Sequence, residues 1–299
     1  MNVVETVAEM EAERAGMKGR VGLVPTMGAL HEGHLSLVRR ARRDDDHLVA
    51  SVFVNPTQFG PKEDFAAYPR GLDSDLLLLE AEGADVVFAP AAEEIYPPGF
   101  DDWLEVSGPL SERLEGEFRP GHLRGVTTVV ARLFRIVRPQ RAYFGEKDAQ
   151  QLRVVRRMVE EQGLRVEVIG LPTVREPDGL AMSSRNAYLS PEERRAALVL
   201  PRALALARRM VEEEGVRDAA AIRCAVEELI RNEPRARIDY IAVAGYETLA
   251  ELTVVDRPAL LLLAMRIGAT RLIDNAMLVP AGVESPAAAK GRTGARWTV

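Results

Sequence analysis

The stretch VGLVPTMGALHEGH, residues 21–34, is the most informative segment in the first half of this chain. An apolar run at 21–24 is followed by a turn that contains Gly28 and by a helical pattern that starts near His31. This order predicts a buried strand, a tight turn and a helix. His31 and His34 are three residues apart and therefore share one helical face. Because a helix N-terminus carries unpaired N–H groups and partial positive charge, the pair indicates a phosphate site. For either histidine alone, an ordinary residue of a strand–helix loop remains the simpler alternative.

Composition limits the classes of function. The chain has 299 residues, 47% of them hydrophobic and 28% charged, and a net charge of -6. The length suits two domains, and the acidic balance argues against a nucleic-acid or anionic-membrane surface. No apolar run approaches the roughly 18 residues of a membrane helix, and the N-terminus lacks the order of a signal peptide. The single cysteine, Cys224, excludes an internal disulfide, and its helical surroundings predict a buried side chain. We expect a cytoplasmic protein with neither a membrane nor a nucleic acid as partner.

Residues 1–173 alternate between short apolar runs and helical patterns. After the first strand, further strands are predicted near 48–54, 85–90, 141–145 and 166–170. Helices are predicted to follow residue 34 and at about 73–82, 126–137 and 149–163. This alternation is typical of an α/β domain, a Rossmann-like, doubly wound parallel sheet with right-handed crossovers.

The pattern changes near residue 174. Helices are predicted at about 191–214 and 218–232, and strands at 238–243, 259–266 and near 272–275. We therefore expect a smaller α+β domain at 174–283, joined by a hinge that would let it act as a lid over a bound ligand. The last stretch, from Pro280, is rich in Ala, Gly, Pro and Ser, which predicts a disordered tail at 284–299.

Polar and glycine-rich segments follow three of the predicted strands, at 25–34, 55–60 and 145–148. Ligands bind at the carboxyl ends of parallel strands, so these segments are expected to converge on one site. The chain has no Gly-x-Gly-x-x-Gly fingerprint, no Gly-x-x-x-x-Gly-Lys-Ser/Thr loop and no His-Glu-x-x-His zinc motif. The polar run at 181–186 is consistent either with an exposed loop or with a site.

Five segments together resemble one family. They are PTMGALHEGH (25–34), FVNPTQF (53–59), GHLRGVTTVV (121–130), FGEKDAQQ (144–151) and MSSRN (182–186). In this order they are similar to the pantothenate synthetase (pantoate–β-alanine ligase) family. That family belongs to the nucleotidyltransferases, which grip ATP with His-x-Gly-His and Lys-Met-Ser-Lys-Ser-like motifs. One departure is Leu123, where the family usually has Phe, which is a change in packing near His122.

The resemblance implies an enzyme, an AMP-forming ligase that uses ATP and Mg²⁺. It would condense pantoate with β-alanine to give pantothenate, AMP and pyrophosphate through a pantoyl adenylate, and it would be a homodimer. Two alternatives stay open: another adenylate- or nucleotidyl-transferring enzyme of the same fold, and a non-catalytic nucleotide-binding module.

The resemblance also assigns residues. The catalytic group comprises His31, His34, Lys147, Ser183, Ser184 and Arg185. The ATP-binding group adds Met27, Gly28, Gly145, Glu146, Asp148, Val174 and Met182. The group for pantoate and β-alanine comprises Met27, Gln58, Gln151, Asn55, Phe59 and His122, with Arg119 as a further candidate. No protein ligand to a metal is expected, because Mg²⁺ would be held through the ATP phosphates.

Overall fold

A computed structural model describes residues 1–61 and 63–286 of the chain, which divides into two compact units. The first comprises Met1–Arg175 and Met182–Ser184; the second comprises Glu176–Ala181 and the chain from Arg185 onward. The sequence suggests a single boundary between residues 173 and 174, whereas the structure groups Met182–Ser184 with the first unit. Residues 287–299 of the predicted disordered tail lie outside the described residues.

The first unit is built on a six-stranded parallel sheet with the order β1-β4-β3-β2-β5-β6. Its strands are β1 (Asn2–Val4), β2 (Val21–Thr26), β3 (His47–Val52), β4 (Val86–Phe88), β5 (Arg141–Gly145) and β6 (Glu167–Leu171). The Rossmann-like, doubly wound prediction is thereby confirmed. In this sheet β3 and then β4 lie on one side of β2, and β5 and then β6 lie on the other. The crevice for a ligand therefore lies beside the carboxyl ends of β2 and β5.

Helices cover both faces of this sheet. They are α1 (Val7–Gly16), α2 (Glu32–Asp44), α3 (Leu72–Ala81), α4 (Ala92–Ile95), α5 (Pro109–Glu112), α6 (Glu115–Phe118), α7 (His122–Val137) and α8 (Ala149–Glu161). Successive side chains of β2 point to opposite faces of the sheet. Leu23 packs in the cluster with α1, α7 and α8, and Val24 packs in the cluster with α2 and α3. Burial on both faces explains why the strands are nearly continuous apolar runs.

Several elements of the first unit differ from the prediction: β1, α1, α4, α5 and α6 were not predicted, and α7 begins earlier than expected. The edge strand β1 pairs with β4 but is three residues long, too short to show a period in the sequence. Helix α7 begins at His122 rather than at residue 126, because His122 and Leu123 are already buried.

The second unit confirms the smaller α+β fold. Its antiparallel strands are β7 (Ala236–Gly245), β8 (Ala259–Ile267) and β9 (Thr270–Leu278), in that order, and its α-helices are α9 (Pro191–Ala197), α10 (Val199–Arg208) and α11 (Ala219–Arg231). The predicted helix at 191–214 is interrupted at Leu198. Pro201 accounts for the break, because it lacks an N–H and its ring would clash with the carbonyl of residue 197 in a continuous helix.

Cys224 is exposed, and the prediction of a buried side chain was wrong. The buried stripe of α11 runs through Ile222, Val226 and Ile230. Cys224 lies two residues from the first two of these, on another side of the helix, because residues of one face recur every three or four positions. Among the described helices, none combines the length and apolar character that crossing a bilayer requires.

Candidate active site

The three polar segments singled out in the sequence follow β3, β2 and β5, which are neighbours in the sheet. All three strands are parallel, so these loops share one edge of the sheet. The loop after β2 is the central one and leads directly into α2, whose first turn carries both histidines.

His31 and His34 cap the start of α2. The Gly33 N–H donates to Nδ1 of His31 over 3.1 Å, and the His31 N–H donates to Nδ1 of His34 over 3.4 Å. The ring centroids are 4.1 Å apart. Because both Nδ1 atoms accept, each neutral ring carries its proton on Nε2. The helix start therefore has two imidazole donors in addition to its own N–H groups.

Gly33 makes this arrangement possible. A β-carbon at this position would stand 2.8 Å from Cε1 of His31, closer than carbon atoms can approach, and 3.8 Å from Cβ of Met182. The His31 ring thus rests on the bare backbone of Gly33. Met182, of the MSSRN segment, lies beside this glycine in the first turn of α2.

His34 is held in its neutral form. Burial, then the neighbouring His31 and then the Lys147 cation lower the pKa of His34 from 6.5 to about 3. Lys147 lies in the 3₁₀ turn Glu146–Asp148 after β5, so this electrostatic effect ties the loop after β5 to the start of α2. At neutral pH, His34 can donate a hydrogen bond but carries no charge.

Asp75 is a residue that the sequence reasoning missed as part of the site. Its carboxylate, 2% exposed, accepts the Ala29 N–H over 2.9 Å and the Leu30 N–H over 2.8 Å. Gly28 and Ala29 have positive φ angles of 77° and 50°, conformations that need such support. Asp75 therefore fixes the turn that precedes His31. An acidic residue in the first turn of α3 looks from sequence like a helix-start preference and gives no hint of this distant contact.

In the loop after β3, Asn55 orients Gln58. The Asn55 amide donates to Oε1 of Gln58 over 3.0 Å and to the carbonyl of Gly125 over 3.1 Å. Its Oδ1 accepts from the Thr57 hydroxyl and N–H and from the Tyr96 hydroxyl. Both hydrogens of the Asn55 side-chain amide are used within the protein, and its Oδ1 has three donors around it.

Gln58 is buried beside Met27, the last residue before Gly28. Its Nε2 donates to Sδ of Met27 over 2.9 Å, which uses one of its two hydrogens. The second hydrogen of Nε2 and the remaining lone pair of Oε1 have no partner among the described residues. Gln58 can therefore donate to a ligand and accept from it at the edge shared with α2.

His122 supports Gln58 from the other side. Its Nδ1–H donates to the Gln58 carbonyl over 2.9 Å, and its Nε2 lies 3.0 Å from Nη1 of Arg119. Because the carbonyl can only accept and Arg119 can only donate, this assigns the tautomer. Burial, and then the Arg119 cation, lower the pKa of His122 to about 4, so both ring nitrogens are occupied in a neutral ring.

Arg119 is itself anchored by Glu63, another residue that the sequence reasoning missed. Its Nε and Nη2 donate to the two carboxylate oxygens of Glu63 over 2.6 and 2.8 Å. Burial raises the pKa of Glu63, but the hydrogen bonds and charge of Arg119, with the Gly60 N–H, outweigh it and set the pKa at about 2. This paired charge keeps Arg119 against His122 and the Gln58 carbonyl.

Gly125 explains the glycine of the GHLRGVTTVV segment. A β-carbon there would lie 2.5 Å from the carbonyl oxygen of Thr57, so only glycine lets α7 approach the turn Pro56–Gln58 this closely. The start of α7 therefore packs directly against the backbone of Thr57 and Gln58 and supports the turn that carries Gln58. Leu123, the departure from the family pattern, is buried in the core beneath α7.

The two adjacent glutamines of α8 have different environments. Gln150 accepts the Glu115 N–H over 3.0 Å and donates to the carbonyls of Leu110 and Arg113. Both hydrogens and the oxygen of the Gln150 side-chain amide are thus used in hydrogen bonds that hold α8 against α5 and α6. The half-buried amide of Gln151 makes no hydrogen bond to the part of the chain that the structure describes, so it has donor and acceptor capacity for a ligand.

Met182 and Ser184 of the MSSRN segment are hydrogen-bonded within the first unit. The Met182 N–H donates to the Val174 carbonyl over 3.0 Å, and the Ser184 hydroxyl lies 3.1 Å from the Tyr68 hydroxyl. Tyr68 packs edge-on against Phe59, with ring centroids 5.8 Å apart. The predicted residues Val174, Met182, Ser184 and Phe59 thus belong to one unit with His31 and Gln58.

Arg185 lies in the second unit, beside an ordered turn. The Asn186 amide donates to Oε1 of Glu176 over 2.7 Å and to the Ala181 carbonyl over 3.0 Å. Arg194 of α9 binds Glu176 in a bidentate manner and also Asp178. This network closes the turn at 176–181 and holds the backbone next to Arg185.

The loop after β5 contains the remaining predicted nucleotide residues. Gly145 is the last residue of β5, and Glu146 and Asp148 flank Lys147 in the following turn. Asp148 precedes α8, but its carboxylate makes no capping hydrogen bond to that helix. Across residues 1–61 and 63–286, no group of three or more His, Cys, Asp or Glu side chains could hold a metal ion.

Three comparisons with known proteins point to the same family. The model of the Pantoate-beta-alanine ligase family matches residues 2–277. The pantothenate synthetase of Roseiflexus sp. (strain RS-1) is 58% identical over 281 residues, covering 93% of this chain and 99% of the relative. The crystal structure of pantothenate synthetase from Thermus thermophilus has a TM-score of 0.89 and 54% identity, covering 94% and 100% of the two chains. Pantoate-beta-alanine ligase from Francisella tularensis, complexed with beta-gamma ATP and beta-alanine, has a TM-score of 0.78 and 33% identity, covering 93% and 97%.

Proposed function

The chain belongs to the pantoate-beta-alanine ligase family, and we propose that the loops after β3, β2 and β5 carry out its reaction through a pantoyl adenylate. The activity is the formation of pantothenate from pantoate and β-alanine. A carboxylate is a poor acyl donor, because it is negatively charged and would have to expel an oxide. Activation by ATP supplies a better leaving group.

In the first step, a carboxylate oxygen of pantoate attacks the α-phosphorus of ATP. The new O–P bond forms as the bond to the bridging oxygen breaks, and pyrophosphate leaves. In the second step, the neutral amine of β-alanine attacks the acyl carbon, a C–N bond forms, AMP leaves and the amine proton passes to solvent. No protein nucleophile takes part, so catalysis rests on positioning and on neutralising phosphate charge.

His31, His34 and Lys147 are proposed to act on the phosphates. The Nε2–H donors of the two neutral rings and the N–H groups at the start of α2 bind phosphate oxygens without adding charge. Lys147 adds one cation, which stabilises the negative charge that builds on the departing pyrophosphate. A mostly neutral donor set suits a site that must release its product.

The remaining nucleotide contacts are proposed from the family motifs. Ser183, Ser184 and Arg185 would bind the β- and γ-phosphates, and Asp148 would accept from the ribose hydroxyls. The adenosine would be framed by Met27, Gly28, Gly145, Glu146, Val174 and Met182. These assignments rest on the family motif and on the adjacency of β2 and β5.

Pantoate, with two hydroxyls and a carboxylate, is proposed to bind the open amides of Gln58 and Gln151. Met27 and Phe59 would contact its gem-dimethyl group. For Asn55, His122 and Arg119 we revise the expectation of direct contact. Their polar atoms are engaged with Gln58 and with one another, so we assign them to holding Gln58 in place.

Mg²⁺ is proposed to enter with ATP. The residues at the start of α2 are imidazoles and N–H groups, and both oxygens of the nearby Asp75 carboxylate are occupied by backbone N–H groups. Mg²⁺ readily keeps several waters and binds phosphate oxygens, so it would need no protein ligand here. It would supply charge neutralisation on the triphosphate.

The observation that carries the mechanism is the His31–His34 pair at the start of α2, in which the pKa of His34 is lowered to about 3 by burial, by His31 and by Lys147. Its test is pyrophosphate release from ATP and Mg²⁺ in two stages. Pantoate alone is expected to release pyrophosphate in an amount equal to the enzyme, and AMP is expected only after β-alanine is added. Simultaneous release of AMP and pyrophosphate that needs both substrates from the start would contradict the adenylate.

The same assay separates the alternatives. Another adenylate- or nucleotidyl-transferring enzyme would release pyrophosphate with a different acid or acceptor and not with pantoate. A nucleotide-binding module without catalysis would bind ATP and release nothing.

Three further expectations remain proposals: a homodimer, a cytoplasmic location and a lid role for the second unit. Light scattering on the purified protein tests the dimer, and fractionation of the native cell tests the location. Small-angle scattering with and without ATP and pantoate tests the lid, because identical profiles would exclude a large closure.

A further inference from the structure

The Tyr96 hydroxyl is connected to Gln58 through one intervening side chain. It donates to Oδ1 of Asn55 over 2.8 Å and lies 3.1 Å from the Thr57 hydroxyl. The amide of Asn55 then donates to Oε1 of Gln58 over 3.0 Å. Tyr96 directly follows α4, 38 residues beyond Gln58 in the chain, and nothing in the sequence marks it as part of the site.

Asn55, the intervening side chain, decides which end of the Gln58 amide faces the substrate. The Gly125 carbonyl only accepts, so the atom of Asn55 beside it must be Nδ2, and the atom beside the Tyr96 and Thr57 hydroxyls must be Oδ1. Nδ2 in turn requires the oxygen of Gln58. Gln58 therefore presents its Nε2 hydrogens toward Met27 and the β2 edge, which is the orientation that donates to a substrate oxygen.

The Tyr96 ring is held in place by neighbouring aromatic rings. It stacks on Trp103 with centroids 6.0 Å apart and an interplanar angle of 20°, and it meets Phe100 edge-on at 5.2 Å. Arg124 of α7 lies over the Trp103 ring at 5.4 Å. A hydroxyl on a ring fixed this firmly has little freedom, so its hydrogen bond to Asn55 is preorganised.

We propose that Tyr96 is a positioning residue for pantoate, which acts by fixing the orientation of the Asn55 amide and, through it, that of Gln58. The inference rests on the proposed role of Gln58 in binding pantoate. Tyr96 itself does not touch the substrate. By donating to Oδ1, it stabilises the Asn55 orientation that the Gly125 carbonyl requires, in which Gln58 turns its Nε2 hydrogens toward the pantoate oxygens.

The test is the Tyr96→Phe variant, which removes one hydroxyl and leaves the aromatic packing intact. We expect the KM for pantoate to rise about three- to tenfold, as for a lost hydrogen bond, with the KM for ATP and kcat within about twofold of the parent values. Tyr143→Phe is the matched control. It also removes a buried hydroxyl that donates to a side-chain oxygen, that of Asp45, but Asp45 lies beyond the amino ends of the strands. It should leave the KM for pantoate unchanged.

A double-mutant cycle with Gln58→Ala distinguishes positioning from a general structural effect. If Tyr96 acts through Gln58, Tyr96→Phe will raise the KM for pantoate in the parent and not in the Gln58→Ala background. An equal rise in both backgrounds, or an equal rise in the KM for ATP and for pantoate, would overturn the inference. So would a Tyr96→Phe enzyme that matches the parent while Gln58→Ala is impaired, and that result would leave the role of Gln58 standing. If Gln58→Ala itself leaves the KM for pantoate unchanged, the role of Gln58 fails, and the inference fails with it.

Discussion

The imidazole of His31 lies against the bare backbone of Gly33. A β-carbon at Gly33 would be 2.8 Å from Cε1 and 2.9 Å from Nδ1 of that ring. The short-range sequence requirement of the His-x-Gly-His motif thus has a steric origin. The glycine leaves room for the ring that caps the helix and accepts its N–H group.

Gly33→Ala is expected to displace the His31 ring and to lower kcat/KM for ATP in pyrophosphate release by about tenfold to a hundredfold, because small misplacements of a positioning group are costly. Gly16→Ala is the control, since a β-carbon at Gly16 meets nothing within 4 Å. Equal activity of the two variants would show that the ring has room to move without loss.

Asp75→Asn is expected to loosen the turn before His31. An amide cannot accept from both the Ala29 and Leu30 N–H groups through two separate oxygens, so one hydrogen bond becomes a contact between two donors. We expect the KM for ATP to rise about tenfold, the equivalent of roughly 1.4 kcal/mol. Asp73→Asn changes an exposed carboxylate of the same helix and should have no effect. Normal ATP kinetics in Asp75→Asn would remove Asp75 from the site.

His34→Ala and Lys147→Ala are each expected to lower the rate of adenylate formation by about a hundredfold or more, because each removes a group that binds charge developing on the phosphates. Circular dichroism and the melting temperature should stay close to the parent values. His47→Ala and Lys18→Ala are matched controls, since His47 binds the Lys18 carbonyl at the amino end of β3. A near-normal rate for either test variant would disprove its role.

The adjacent glutamines of α8 are expected to affect different properties: Gln151 the binding of pantoate, and Gln150 the stability of the fold. Gln151→Ala should raise the KM for pantoate about fivefold or more and leave the melting temperature unchanged, because no hydrogen bond within the described chain involves that amide. Gln150→Ala should instead lower the free energy of unfolding by about 1–3 kcal/mol, because it leaves the Glu115 N–H and two carbonyls unpaired. Measurement of kinetics and urea unfolding on both variants checks the pair. Interchanged phenotypes would reverse the assignment.

The buried histidines predict a pH dependence of stability. The pKa of His122 is about 4 in the folded chain against 6.5 for an ordinary histidine, so the unfolded chain binds more protons between these values. The free energy of unfolding should therefore rise with pH across this window and fall on acidification. His34 acts in the same direction. Glu63, with a pKa of about 2 against 4.5, contributes only in the more acidic range between its own two values.

His122→Asn isolates this contribution, because an amide can still donate to the Gln58 carbonyl but does not titrate. Between pH 4.5 and 6.5, the variant should lose about 2 kcal/mol of the pH-dependent change in unfolding free energy seen in the parent. Urea titrations at several pH values measure it. Parallel profiles for parent and variant would mean that His122 titrates normally in the folded chain.

Much of the fold could be predicted from the sequence, because the elements that matter have strong local patterns. The strands β2, β3 and β5 are apolar runs that end near glycine or proline, and α8 is plainly amphipathic. Errors arose where the local pattern is weak or misleading. The strand β1 is too short to show a period, and the break before α10 depends on one proline. Cys224 was misassigned because its helix is apolar on average but buried on one stripe only.

The candidate site divides in the same way. His31, Gly33, His34 and Lys147 could be found from sequence because each lies in a short segment whose spacing is itself the signal. Asp75, Glu63 and Tyr96 could not be found, because each acts on a partner between 41 and 56 residues away in the chain and belongs to no pattern of its own. Their roles depend on which loop they meet.

The alternation of strands and helices, the helix start that carries the two histidines and the family motifs could be recognised from sequence, because they depend on neighbours within a few residues. Tertiary contacts, in contrast, leave hydrogen-bonding capacity on Gln58 and Gln151 and use up that of Asn55, His122 and Gln150. Hydrogen-bond capacity is used up by partners that the fold brings from distant parts of the chain. Two glutamines of the same chain can therefore differ in the hydrogen bonds that they can make to a substrate. The residue type alone does not show which of them has free donors and acceptors.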